Sequence, residues 1–108
     1  MTTAARLSEL DALVEELTVD AHDDEEQLSG FLVGAEEAFE DGESVRLVGV
    51  QVQLIAVDQG PDARTGLTAR VQRDGATYEV TLADLAFSAD SRMGLVVAAY
   101  RRWQGRTP

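Results

Sequence analysis

Cysteine is absent from the chain, which excludes disulfides, thiolate metal sites and a cysteine nucleophile. Lysine is absent as well, so all nine basic residues are arginine. Histidine and tryptophan occur once each, as His22 and Trp103. With only two prolines, no Pro-rich linker divides the sequence. No apolar run approaches the roughly 18 residues needed to cross a bilayer. The segment Met1 to Arg6 lacks the apolar stretch of a signal peptide. Together these absences predict a cytoplasmic protein without a membrane partner. No phosphate loop, dinucleotide fingerprint or nucleophile elbow occurs. Asp20 and His22 lie close in sequence but have no nucleophile to activate. The sequence therefore predicts a protein that is not an enzyme.

What is present is acid. The formal net charge is −11 over 108 residues. Residues 1–43 hold 14 carboxylates against the single Arg6, a net of −13, while residues 44–108 hold 6 carboxylates against 8 arginines, a net of +2. Such a field repels nucleic acid and attracts cations or a basic protein partner. Hydrophobic residues make up 44% of the chain, within the range of folded domains. The length fits one domain over residues 1–108, read as an acidic helical part (7–41), an antiparallel β part (44–87) and a C-terminal helix (90–104).

The periodicities place the elements. Leu10, Leu13, Val14 and Leu17 form one stripe of an amphipathic helix. A second helix is predicted from Asp23 or Asp24, since aspartate caps helix starts, with Leu28, Phe31, Leu32, Ala35 and Phe39 as its apolar stripe. Gly30 and Gly34, four apart, allow close backbone approach on one face, and a dimer contact there is one use for it. Asp41-Gly42 ends this helix. From Val45 the period changes to two, with Gly49 marking a bulge or sharp bend. The segment from Gln59 to Ala63 reads as a loop, and Asp74-Gly75 as a hairpin turn between strands at 67–73 and 76–82. A short 3₁₀ element is expected around Ala83-Asp84-Leu85. The last helix buries Met93, Val96, Val97 and Tyr100, with Arg92, Arg101, Arg102 and Arg106 facing out. The fold class is thus α+β: two N-terminal helices, a small, strongly bent antiparallel sheet closing as an SH3-like or Sm-like partial barrel, and one C-terminal helix.

The candidate site is the acid run Asp20, Asp23, Asp24, Glu25 and Glu26. Calcium is a hard cation that takes six to eight oxygen ligands, and a carboxylate-dense loop-to-helix junction can supply several. The spacing is not that of an EF-hand. A solvated, acid-capped helix start is the plainer alternative. Glu36, Glu37 and Glu40 form a second acidic group that would complete a site if packed near the first.

The run from Val19 to Leu28, with its Glu26-Gln27 pair leading into an aromatic-bearing helix that ends in Ala35-Glu36-Glu37, resembles the start of the small acidic bacterial calcium-binding proteins best known from cyanobacteria. Residues 78–85 resemble their late strand and turn, and residues 98–103 their closing helix. His22 stands where that family usually has tyrosine. The resemblance implies a non-enzymatic Ca²⁺ buffer or sensor, monomeric or weakly dimeric, with the acids from Asp20 to Glu26 as metal ligands. The competing expectation is an acidic module that docks a basic protein without metal.

Overall fold

The computed structural model describes residues 3–61, 65–88 and 90–105. Two helices, α1 (Thr3–Leu17) and α2 (Asp24–Ala38), precede strands β1 (Glu43–Leu47), β2 (Val50–Gln59), β3 (Leu67–Arg73) and β4 (Ala76–Thr81). A 3₁₀ turn (Leu82–Asp84), strand β5 (Leu85–Ala86) and helix α3 (Arg92–Trp103) follow. The predicted loop residues Asp62 and Ala63 and the outward Arg106 lie outside the described residues. Among the described residues, no helix is long and apolar enough to cross a membrane.

The strands form one antiparallel sheet in the order β4-β3-β2-β1-β5. Both tight hairpins use two-residue turns in the left-handed region: Val48-Gly49 (φ 50° and 78°) and Asp74-Gly75 (53° and 80°). These conformations match the right-handed twist of the flanking strands. Of the two expectations for Gly49 the sharp bend holds: it is the second residue of the turn between β1 and β2 and not a bulge. The bulge lies further on, where the β2–β3 register shifts between Leu54 and Ala56. Past that point Val57, not Ala56, stands opposite the buried Ala69.

The partial barrel expected from the strand pattern is corrected to an open sheet. β5 is two residues long and pairs only with Arg46 and Leu47 of β1, so no ladder joins it to β4. Three residues nonetheless carry the chain from one edge strand to the other. Four flat strand spacings would span about 19 Å, more than the roughly 14 Å that those peptide steps reach. The sheet is bent at that end without closing.

One cluster of buried side chains draws on all three helices and the sheet, including Leu10, Leu28, Phe31, Leu54, Val71 and Tyr100. Buried Phe31 and Tyr100 pack with the partly buried Trp103, ring centroids 5.2–6.0 Å apart, with Tyr100 and Trp103 stacked and Phe31 tilted against both. The Tyr100 hydroxyl is fully buried and accepts from the Leu67 amide (2.9 Å) and from Gln104 Nε2 (3.1 Å). Gly66 (φ +73°) makes this possible, because a Cβ there would lie 2.1 Å from the Tyr100 oxygen. Two arginines read as outward-facing have structural partners instead. Arg101 donates from Nε to the Ala83 carbonyl (2.8 Å) and from Nη2 to the Leu85 carbonyl, satisfying the 3₁₀ turn and β5. Arg102 donates to both carboxylate oxygens of Asp11, at 2.5 and 3.2 Å, and ties α3 to α1.

The Gly30/Gly34 face is covered by the chain itself. A Cβ at Gly30 would meet the Leu17 carbonyl oxygen at 2.0 Å, and one at Gly34 would meet Leu17 Cδ2 at 2.8 Å. The two glycines admit the end of α1, which replaces the dimer contact expected there. Gly30→Ala should therefore lower the melting temperature, since a backbone clash costing about 1–3 kcal/mol exceeds the ~1 kcal/mol gained in helix propensity. A variant as stable as the parent in thermal unfolding would show that α1 and α2 do not pack this way.

Candidate metal site

The acidic run sits where α1 hands over to α2. Val14 ends the first helix by accepting from both the Thr18 amide (3.0 Å) and the Thr18 hydroxyl (2.6 Å). The chain then turns through Asp20, held at φ 64°, with the Ala21 amide donating to the Thr18 carbonyl (3.1 Å). Asp23 is extended and caps α2: its Oδ1 accepts from the Glu26 amide at 2.8 Å. Glu26 reaches back, and its Oε2 accepts from the His22 amide at 2.9 Å. This is a reciprocal capping arrangement, displaced by one residue at its second bond. Asp24, Glu25 and Glu26 fill the first helical turn, where backbone N–H groups favour negative charge.

All five predicted ligands are exposed and belong to one junction. Two of them have a structural use, Asp23 and Glu26 in the cap. The side chains of Asp20, Asp24 and Glu25 make no hydrogen bond or ion pair among the described residues. Nor do any three His, Asp or Glu side chains there stand so as to hold one ion. The oxygen-donor chemistry fits a hard cation such as calcium, whereas the side-chain positions do not yet enclose one. Glu36 and Glu37 lie at the far end of α2, about 18 Å along the helix axis from Asp24, so they do not complete this site.

Gln27 has a role that composition alone did not reveal. Its Oε1 accepts from Trp103 Nε1 at 2.7 Å, so the Glu26-Gln27 pair joins the cap of α2 to the last turn of α3. The available signal was Trp103 itself, since a largely buried indole N–H calls for an acceptor.

Electrostatics divide the acids further. The hydrogen bond from Arg102 holds the Asp11 carboxyl below its usual range against a smaller opposing desolvation, and raises the guanidinium in return. Glu16 meets Arg92 only at 4.0 Å. Among the described residues, no arginine pairs with any acid from Asp20 to Glu43. Glu43, at the start of β1, is pushed up by desolvation first and by the nearby Glu40 charge second.

The fold has known counterparts. The crystal structure of CcbP from Anabaena matches with a TM-score of 0.69 and 17% identity, covering 100% of this chain and 97% of that one. A calcium binding protein in the calcium-binding form matches with a TM-score of 0.72 and 18% identity, covering 100% of both chains. At these identities the likeness establishes a shared fold over the full length. No family model matches the chain, and no curated protein does.

The two displaced carboxyls predict opposite pH behaviour. The Asp11 contribution is present above the ordinary carboxylate range and is lost as pH falls through its lowered folded value. Glu43 opposes folding at neutral pH, and that cost disappears as pH falls through its raised value. Melting curves from pH 7 down to 3 should show Asp11→Asn less stable and Glu43→Gln more stable than the parent at pH 7, with both differences shrinking in acid. Parallel curves at every pH would contradict both assignments.

Proposed function

We propose that this chain is a non-enzymatic calcium-binding protein, a buffer or sensor, that takes Ca²⁺ at the α1–α2 junction through Asp20, Asp23, Asp24, Glu25 and Glu26. The observation that carries this reading is the fold shared over its full length with a calcium binding protein in the calcium-binding form. The uncompensated charge of the junction supports it. Calcium accepts irregular coordination, with carbonyls and water completing the shell. Asp20, Asp24 and Glu25 are exposed side chains that turn without breaking a bond. Asp23 and Glu26 keep one oxygen in the cap and offer the other. Ordering these side chains costs entropy, which weakens the site relative to a prearranged one. The ion stabilises the folded form by mass action.

The lack of a converged triad favours a second reading, in which the acidic junction docks a basic protein without metal. Calorimetric titration of the chelator-stripped chain with Ca²⁺, beside Mg²⁺, separates the two. Saturable binding that prefers Ca²⁺ is expected. The double variant Asp23→Asn, Asp24→Asn keeps a good capping residue and should bind about tenfold more weakly or worse, a loss of ~1.4 kcal/mol or more. Unchanged affinity in that variant would remove the site. An absence of heat and of any shift in melting temperature would leave the docking reading.

A further inference from the structure

β4 is a sheet edge whose one guard is the charge of Glu79. Its main contact is the ladder with β3, and it carries neither proline nor bulge, and no inward charge. Edge strands without such devices are templates for pairing with another chain. Tyr78, 54% exposed, borders a mainly apolar groove with Leu47, Val50, Val52 and Val71, which Arg73 also lines, on the sheet face that the helices cover only further along. Exposed Val48 (92%) stands at the rim, in the left-handed conformation that a β-branched residue rarely adopts.

The strand itself says what fits this edge. The two-residue Asp74-Gly75 turn makes Arg73 and Ala76 a hydrogen-bonded pair. Alternation then aims the backbone groups of Tyr78 and Val80 at β3 and those of Thr77 and Glu79 at the open edge. A second β4, running antiparallel about a two-fold axis, meets these groups in registers centred on Thr77, Tyr78 or Glu79. Centred on Thr77, it pairs only Ala76 with Tyr78 on either side before it reaches the Asp74-Gly75 turn, the shortest ladder of the three. Centred on Glu79, it sets Glu79 against its own copy, and like charges directly opposite are unfavourable. Centred on Tyr78, it faces Tyr78 with Tyr78, each Thr77 with a Glu79 and each Ala76 with a Val80, a self-complementary set. The excess acid of residues 1–43 lies outside this strand.

We infer that the protein forms a weak two-fold dimer through β4, in the register centred on Tyr78, joining two sheets into one of ten strands. The paired tyrosines extend the apolar groove across the axis. Each copy carries −11, so association tightens as salt screens the long-range repulsion.

Sedimentation equilibrium of the full chain at low and high salt tests the dimer. Cross-linking tests its register, because the chain has no background cysteine. Tyr78→Cys places two thiols at a facing pair and should give a disulfide-linked dimer under mild oxidation. Glu79→Cys should not. Tyr78→Lys, at an exposed position that does not threaten folding, should weaken association about tenfold by setting like charges opposite. Preferential linkage of Glu79→Cys would overturn the register. A parent chain that stays monomeric at high concentration and high salt would overturn the dimer.

Discussion

The structure depends most on the packing of Phe31 against Tyr100 and Trp103. These three rings fix α2 to α3, and the acids on which the functional reading rests lie in the first turn of α2 and the junction that leads into it. Two of the rings are also tied at their margins. Tyr100 reaches the sheet through the Leu67 amide, and Trp103 reaches the start of α2 through Gln27. A buried hydroxyl and a buried indole N–H would each be costly without such partners. Gly66 and Gly30 leave room where the backbone must come close. The junction between α1 and α2 is thus held from beneath by aromatic packing while its surface stays polar and unpaired.

That surface is unusual in what it withholds. Arginines hold Asp11 and approach Glu16, both on α1, and among the described residues they pair with no acid from Asp20 to Glu43. Like charges concentrated along one segment repel one another, and folding keeps them together at an energetic cost. A bound cation or a basic partner relieves that cost. The reciprocal cap fixes Asp23 and Glu26, so the segment has an ordered backbone even though Asp20, Asp24 and Glu25 have no fixed partner among the described residues. Ordered backbone with unengaged carboxylates is the condition that a modest surface cation site requires.

Much of the fold was legible because it obeys local rules. The heptad-like spacing of Leu10, Leu13 and Leu17, the capping aspartate at 23, the Asp74-Gly75 turn and the alternation from Leu67 to Val71 each carry their own signal. What escaped was set by tertiary structure. The bulge at Ile55 leaves no mark in a run of apolar residues. Openness of the sheet turns on β5 being only two residues long. Arg101 and Arg102 resemble other surface arginines until the carbonyls and the carboxylate that they bind are in place. The acidic run was legible as a run, but its division into capping and unengaged carboxylates depends on where the backbone turns. The separation of about 18 Å from Glu36 was implicit in the single helix predicted there, and the structure bears that helix out.

The central claim is that the cation site is the α1–α2 junction and not the other acidic groups. Amide proton–nitrogen correlation spectra recorded through a Ca²⁺ titration test it residue by residue. The account predicts shifts concentrated between Thr18 and Gln27, saturating together, with small changes at Trp103 through Gln27. Shifts centred on Glu36 to Glu43, or spread evenly over every exposed acid, would contradict it.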